Sequence, residues 1–158
     1  MRYFLVDRVT ELAVGQWVRG VKNVTLSDEI LHDHFPDYPV MPGALIVEAA
    51  AQLAGFLIEM TFNQLDVLPQ RALLAQIQQA KFNGTCGPGD RIDLYVALGS
   101  KLGSAVQVRA EAQVEGRRVM RAQLTFVLKE IDSERVHEQR RYLYSLWTKD
   151  LQTRPAIR

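Results

Sequence analysis

One long apolar segment constrains the fold more than any other feature of this sequence. From Ala44 to Met60 nearly every residue is apolar, apart from Glu48, Gln52, Glu59 and Gly55. A helix that is apolar on all sides has no face left for water, so we predict a buried helix over 43–60. The apolar run 44–58 is too short, and too polar at two positions, to span a membrane.

The polar positions of this helix are informative because they share one narrow strip of its surface. Glu59 lies near the helix end, where we expect it to emerge into solvent. Glu48 lies in the first turns, and a carboxylate there must be paired, protonated or used in chemistry. A structural Glu48, satisfied by backbone amides, is the alternative.

The remainder of the chain reads mainly as strands. We expect strands over 3–12 and 16–25, a loop over 26–42, a polar connection containing Asn63, Gln64, Asp66 and Pro69, and then strands at 72–82, 92–98, 105–114 and 120–128. Apolar and polar residues alternate clearly in the later strands, which is typical of a sheet with one solvated face. Glu115 and Gly116 form a tight hairpin turn between the last two.

These elements predict an α+β architecture, a curved antiparallel sheet wrapped around one central buried helix. The helix at 43–60 is the element hydrophobic enough to fill the inner side of the sheet. Such a sheet has open edges, and joining edge strands across a two-fold axis is a common way to cover them. A dimer is therefore expected.

Residues 131–158 depart from the strand pattern, and we predict that they form a helical extension of a domain spanning 1–130. Their apolar residues near helical spacing are Val136, Leu143, Leu146 and Trp147. We expect this amphipathic helix to pack on the body of the protein. In a second interpretation its basic residues add to a docking surface, namely Arg140, Arg141 and Lys149.

Composition narrows the class of protein. The 158 residues carry a formal net charge of +1, so no global basic field draws the chain to nucleic acid or anionic lipid. A single cysteine, Cys86, excludes an internal disulfide framework and fits a reducing compartment. Charge appears too early at the N-terminus for a signal peptide. We expect a soluble cytoplasmic protein.

The segment 34–52, which begins His-Phe-Pro-Asp-Tyr-Pro-Val-Met-Pro-Gly, indicates acid–base chemistry. Pro36, Pro39 and Pro42 restrict the loop that carries His34. Pro42 suits a first helical position, and the amides from Gly43 onward then have no partner within the helix. An imidazole, a carboxylate and free amide donors in one segment suit a reaction at a polarised carbonyl.

These residues carry a family resemblance. The chain resembles the FabZ-type β-hydroxyacyl-acyl carrier protein dehydratases, which have the hot-dog fold, over roughly residues 2–129. The resemblance rests on 4–9, 22–25, the motif from His34 to Gln52, Lys81-Phe82, 88–90 and the strand 116–128. The His-Phe-Pro, Pro-Gly, Glu-Ala and Ala-Gln signature within 34–52 is long and specific.

The resemblance implies dehydration of a (3R)-3-hydroxyacyl thioester on acyl carrier protein to the trans-2-enoyl thioester. His34 would be the base that removes the C2 proton, and Glu48 of a partner subunit would protonate the departing hydroxyl. Gly43, Gln52 and Phe35 would contact the substrate, with the Gly43 amide binding the thioester oxygen and Gln52 orienting the carboxylate or a water. The resemblance implies no metal or cofactor, and a homodimer with shared active sites or three such dimers together.

Several positions depart from the family pattern. Asp33 and Asp37 stand where Gly is frequent, and Asp33 tolerates a left-handed turn. Asn83 and Thr85 stand where an Arg and a Pro usually follow Lys81-Phe82. In the family, that Arg belongs to a positive surface near the mouth of the narrow apolar tunnel that holds the substrate. With the long C-terminal extension, these departures favour a specialised pathway with a dedicated carrier protein.

Three alternatives remain at the level of sequence. The pair His32 and His34 would need a third ligand to hold a metal. A thioesterase on the same fold would direct water at the thioester carbonyl with a carboxylate. A non-catalytic partner subunit of a synthase complex is the third, although the retained His34 and Glu48 argue against it.

Overall fold

The computed structural model describes residues 3–63 and 68–158. Within these ranges six strands form one antiparallel sheet, together with two α-helices and a short 3-10 helix (Glu29–Leu31). In chain order the elements are β1 (Arg8–Ala13), β2 (Trp17–Asn23), α1 (Gly43–Phe62), β3 (Gln70–Phe82), β4 (Arg91–Leu102), β5 (Ala105–Val114), β6 (Arg117–Glu130) and α2 (Glu134–Trp147). The predicted α+β class is confirmed.

The sheet has the strand order β1-β2-β4-β5-β6-β3, with every neighbouring pair antiparallel. β1 and β3 therefore form its two edges. The turn between β5 and β6 has φ values of 49° at Glu115 and 77° at Gly116. A two-residue hairpin turn of this kind needs positive φ at both residues to match the twist of its strands. The predicted hairpin is confirmed.

α1 fills the concave side of the sheet and contacts β2, β3, β4, β5 and β6. Its buried residues are Ile46, Val47, Ala49, Ala50, Ala51, Leu53, Ala54, Gly55, Phe56, Leu57, Ile58 and Glu59. The helix is long and apolar enough to cross a membrane, but most of that stretch is buried inside the protein, so it is a core helix. The prediction of one central buried helix is confirmed.

α2 packs on the outside of this core, near the C-terminal half of α1. Leu143, Tyr144 and Trp147 are buried, and Phe56 of α1 meets Tyr144 edge-on at a centroid distance of 5.0 Å. The predicted helix is confirmed, but its apolar stripe is displaced. Leu146 remains 46% exposed, because the buried face is formed by residues 143, 144 and 147.

The boundaries differ from expectation mainly at the N-terminus. β1 begins at Arg8 rather than at residue 3, because the Leu5 amide donates to the side chain of Gln52 on α1 and not to a strand. β2 ends at Asn23, and α1 continues to Phe62. Gln64 and Asp66 of the predicted polar connection lie outside the described residues.

Candidate active site

The loop before α1 is folded by hydrogen bonds of its own backbone. The amides of Phe35 and Tyr38 donate to each other's carbonyls at 3.0 and 2.9 Å, which closes a tight turn. Asp37 within that turn has a φ of 63°, a conformation that Asp tolerates better than most residues. The left-handed residue expected at Asp33 is thus at Asp37, since Asp33 is not among the described residues with positive φ.

His34 is partly buried, and its ring is held on two sides. Nδ1 lies 3.1 Å from the carbonyl oxygen of Val40, and the ring stacks on Phe35 with a centroid distance of 4.4 Å. A carbonyl oxygen only accepts, so in the neutral imidazole the proton lies on Nδ1. Nε2 then carries the free lone pair, which is the arrangement that a base requires.

The first turn of α1 differs by one residue from expectation. Pro42 has φ −55° and ψ 132°, so it is the N-cap residue and Gly43 is the first helical residue. The Pro42 carbonyl accepts from the amide of Leu45 at 2.9 Å. Among the described residues, the Gly43 amide has no acceptor, as expected for the first residue of a helix.

Gly43 is covered by an aromatic ring that sequence reasoning did not place in the site. A Cβ atom at Gly43 would lie 2.8 Å from Cε1 of Phe82, at the end of β3. Any larger residue at position 43 would therefore displace the ring. Phe82 is itself 49% exposed, so this aromatic wall stands beside the free amide and faces outward.

Glu48 is held by the predicted neighbour one helical turn away. Nε2 of Gln52 donates to Oε1 of Glu48 at 3.0 Å and to the carbonyl of Tyr3 at 3.0 Å, while Oε1 of Gln52 accepts from the amide of Leu5 at 2.9 Å. Burial, and secondarily the Glu48 carboxylate, raise the pKa of the Tyr3 phenol. One amide side chain thus joins Glu48 to the segment that precedes β1.

Glu48 opens onto a groove of about 270 Å³. The groove is lined by Glu48, Ala51, Gln52, Gly55, Glu59, Ala72, Leu73, Leu74, Phe126, Arg140 and Tyr144. The small residues of α1 form its floor, and aliphatic residues of β3 form one wall. Glu59 lies eleven positions after Glu48 on the helix, so the groove follows α1 for about 16 Å.

The prediction that Glu59 emerges into solvent is wrong. It is 1% exposed, and its Oε2 accepts from Arg71 at 2.8 Å and from the Tyr144 hydroxyl at 3.0 Å. The Ala72 amide donates to Oε1 at 3.1 Å. α2 and β3 cover the end of α1, so the carboxylate is buried and paired there, as a buried charge must be.

Arg71 connects this buried pair to α2 and to the C-terminus. Its Nε and Nη2 lie 3.2 and 2.9 Å from Nδ1 of His137, and Nη2 donates to the Arg158 carbonyl. Nδ1 of His137 must therefore accept, which leaves the proton on Nε2, 2.8 Å from the carbonyl of Ile131. This network is a structural one, separate from the loop that carries His34.

The remaining candidates are peripheral. His32 is exposed, and across residues 3–63 and 68–158 no cluster of three potential ligands gathers around it. Cys86 is buried, which together with Asp90 raises the pKa of its thiol to about 11, so it is a poor nucleophile. Its carbonyl accepts from the Met41 amide at 2.7 Å and so supports the loop before α1.

Comparison with known proteins agrees with this geometry. Residues 1–123 match the FabA-like domain family. The 3-hydroxyacyl-acyl carrier protein dehydratase FabZ of Exiguobacterium sibiricum is 41% identical over 128 residues, covering 80% of this chain and 89% of that protein.

Two solved structures share the fold at low identity. The hot-dog-like protein of Thermanaerovibrio acidaminovorans is 20% identical, with a TM-score of 0.63 over 81% of this chain and 93% of that one. The dehydratase heterocomplex ApeI:P of Xenorhabdus doucetiae is 14% identical, with a TM-score of 0.62 over 87% and 89%. The sheet around α1 is the hot-dog fold, and the chain belongs to the FabA-like family.

Proposed function

We propose that this protein is a hydro-lyase that dehydrates a (3R)-3-hydroxyacyl thioester, carried on acyl carrier protein, to the trans-2-enoyl thioester. The observation that carries the proposal is the arrangement around α1. His34 has its Nε2 lone pair free, Glu48 is held at one end of a groove with an apolar middle, and the Gly43 amide lacks an acceptor among the described residues. The FabZ name of a relative 41% identical supports the same reaction.

His34 acts as the base. Its Nδ1–H donates to the Val40 carbonyl, which fixes both the tautomer and the orientation of the ring. Nε2 takes the proton from C2 of the substrate, and negative charge develops on the thioester oxygen. The Gly43 amide hydrogen-bonds that oxygen as the charge grows, and the adjacent helix N-terminus stabilises it further. Phe35, stacked on the imidazole, contacts the substrate beside it.

Glu48 acts as the acid. Because Gln52 donates to Oε1, the proton of the neutral carboxylic acid lies on Oε2. That proton passes to the 3-hydroxyl as the C3–O bond breaks, so water leaves and the C2–C3 double bond forms. Without an acid the leaving group would be hydroxide, and a positioned acid typically contributes about 10²–10⁴ in rate.

We further propose that the site is shared between two subunits of a homodimer, in which His34 of one protomer acts with Glu48 of its partner. No hydrogen bond joins His34 to Glu48 within the described part of one chain. The β3 edge supports the dimer, because its Leu73, Leu74 and Ile77 are 44%, 38% and 51% exposed. A long apolar edge of this kind favours pairing with a second copy. Three such dimers would form the larger assembly.

The other edge of the sheet is less suited to this role. β1 has six residues, and Arg8 at its start forms an ion pair of 3.5 Å with Asp150, just beyond α2. β3 has 13 residues, and within the described part of the chain it pairs on one side only, with β6. A cytoplasmic location is part of the proposal, since a single buried cysteine fits a reducing compartment.

Incubation with a 3-hydroxyacyl carrier protein, followed by intact-mass measurement, tests the proposal. We expect the carrier-bound acyl group to lose the mass of one water and to remain attached. Release of free carrier thiol would instead indicate the thioesterase, and an unchanged mass across short and long acyl groups would indicate the non-catalytic subunit. Either result would overturn the dehydratase assignment.

A further inference from the structure

The far end of the Glu48 groove is built by the C-terminal extension. Arg140 and Tyr144 of α2 line the groove, and both lie beyond residues 1–123, which match the FabA-like family. They are one helical turn apart, so they share a face of α2. The Tyr144 hydroxyl binds Glu59, which places this face at the end of the groove opposite Glu48.

Arg140 has no carboxylate partner among the described residues, whereas two arginines near it have one. Arg71 pairs with Glu59, and Arg141 pairs with Glu134. Arg140 is half-buried, and among residues 3–63 and 68–158 it has no ion pair or hydrogen bond. Glu59, the carboxylate that shares the groove with it, already accepts from Arg71, Tyr144 and the Ala72 amide.

The unpaired guanidinium determines how long an acyl chain the groove can bind favourably. Between the two ends the lining is largely apolar, with Ala51, Gly55, Leu73, Leu74 and Phe126. An acyl chain that stops short of Arg140 buries its methylene groups on this lining and leaves the guanidinium in water. A chain that reaches Arg140 must strip water from the charge and supplies no hydrogen-bond acceptor in return, which costs free energy.

We propose that Arg140 is a specificity-determining residue, which limits the dehydratase to acyl chains shorter than the groove. This inference rests on the proposed function, and it assigns to the C-terminal extension a role in substrate choice. The acyl chain enters beside Glu48 and follows α1 toward Glu59, and the guanidinium of Arg140 marks the point beyond which an apolar chain is no longer favoured.

Substitution of Arg140 tests this limit with two carrier-bound substrates, 3-hydroxybutyryl and 3-hydroxyhexadecanoyl. We expect Arg140→Met to raise the ratio of kcat/KM for the long chain over the short chain by about tenfold, equivalent to about 1.4 kcal/mol. Arg140→Lys keeps the charge and should keep the wild-type ratio. Arg141→Met is the matched control on the next position, because Arg141 lies outside the groove and pairs with Glu134.

The outcomes separate this inference from the proposed function. If the wild type dehydrates neither substrate, the proposed function fails. If it dehydrates the short chain and Arg140→Met leaves the ratio unchanged, or if Arg141→Met shifts the ratio equally, the assignment to Arg140 is overturned. Melting temperatures are recorded for each variant, and Arg140→Leu replaces Arg140→Met should the latter fail to fold.

Discussion

His34 and Glu48 are each fixed by one local hydrogen bond, so their roles can be tested one side chain at a time. His34→Ala removes the free Nε2, and Glu48→Gln keeps the shape of the side chain but removes its acidic proton. We expect each variant to lose about 10²–10⁴ in kcat for dehydration while remaining folded, as positioned acids and bases typically contribute that much. Carrier-based turnover and circular dichroism measure the two effects.

His32→Ala is the matched control for this prediction. His32 is exposed, two residues from His34 in the same loop, and it forms no side-chain hydrogen bond within the described part of the chain. We expect its activity to stay near that of the wild type. Full activity in Glu48→Gln would contradict the acid role. Loss of activity in His32→Ala would indicate that substitutions in this loop inactivate the protein by disturbing the loop, and not by removing one imidazole.

The residues proposed for the site could be predicted from the sequence where they lie within one segment. His34, Gly43, Glu48 and Gln52 follow from a proline-rich loop, a helix start and helical spacing. Phe82, Arg140 and Tyr144 did not follow, because they reach α1 from β3 and α2 through contacts that no local pattern encodes. The same reason explains why the sequence did not predict that Glu59 is buried, since its burial depends on Arg71 and on the position of α2.

At the scale of elements, the edge strand β3 exposes apolar side chains that no other described strand of the sheet covers. Ile77 is 51% exposed on the edge strand and does not line the Glu48 groove. We expect Ile77→Lys to convert the proposed dimer to a monomer, because a charged side chain on an edge strand opposes edge-to-edge pairing. Analytical ultracentrifugation measures the change.

Leu102→Lys provides the control for the edge. Leu102 is 85% exposed at the end of β4, where β4 turns into β5, and it lies outside the β3 edge. The lysine there should leave the dimer intact. A dimer that survives Ile77→Lys, at the same protein concentration, would locate the interface elsewhere on the molecule.

α2 stabilises the end of α1 through packing and through one buried hydrogen bond. Tyr144 is 2% exposed, and burial raises the pKa of its phenol, so the hydroxyl stays protonated and donates to Glu59. We expect Tyr144→Phe to lower the free energy of unfolding by about 1–3 kcal/mol, since Glu59 then loses a donor in a buried site. Chemical denaturation measures this change.

Tyr142→Phe removes a hydroxyl from the same helix at a position 69% exposed. The free energy of unfolding should then change by less than about 0.5 kcal/mol, as for most surface substitutions. Equal effects at positions 142 and 144 would mean that the bond to Glu59 contributes no more than an exposed hydroxyl. The helix itself was predictable from spacing, whereas the choice of Tyr144 over Leu146 for the buried face depends on Phe56 of α1.

At the scale of the whole molecule, the burial of the Cys86 thiol makes the free energy of unfolding depend on pH in the alkaline range. The pKa of Cys86 rises from its ordinary value of 9.0 to about 11, because burial and the nearby Asp90 carboxylate oppose the thiolate. A folded-state pKa above the unfolded one stabilises the native state fully below the unfolded value. That contribution is lost as the pH rises through the folded value.

We therefore expect the free energy of unfolding to fall between about pH 9 and pH 11, and the fall to be shallower in Cys86→Ala. The slope is read from denaturant titrations across that range. Tyr144 adds a second decline that begins above its ordinary pKa of 10.0 and overlaps the upper part of this range, since burial raises the pKa of its phenol in the folded state. Identical slopes for the wild type and Cys86→Ala would show that the thiol does not control stability in this range.

The proposed sharing of the site between subunits would make catalysis a property of the dimer, and mixing inactive subunits tests this directly. In a mixed dimer of His34→Ala and Glu48→Gln protomers, one site holds both substitutions and the other holds an intact histidine and an intact glutamate. Random exchange makes half of the dimers mixed, so we expect about a quarter of the wild-type activity to return. Differently tagged subunits and native mass spectrometry verify the exchange. If the exchanged mixture stays as inactive as its components, the two groups act within one chain, and the β3 edge joins two subunits whose active sites are independent.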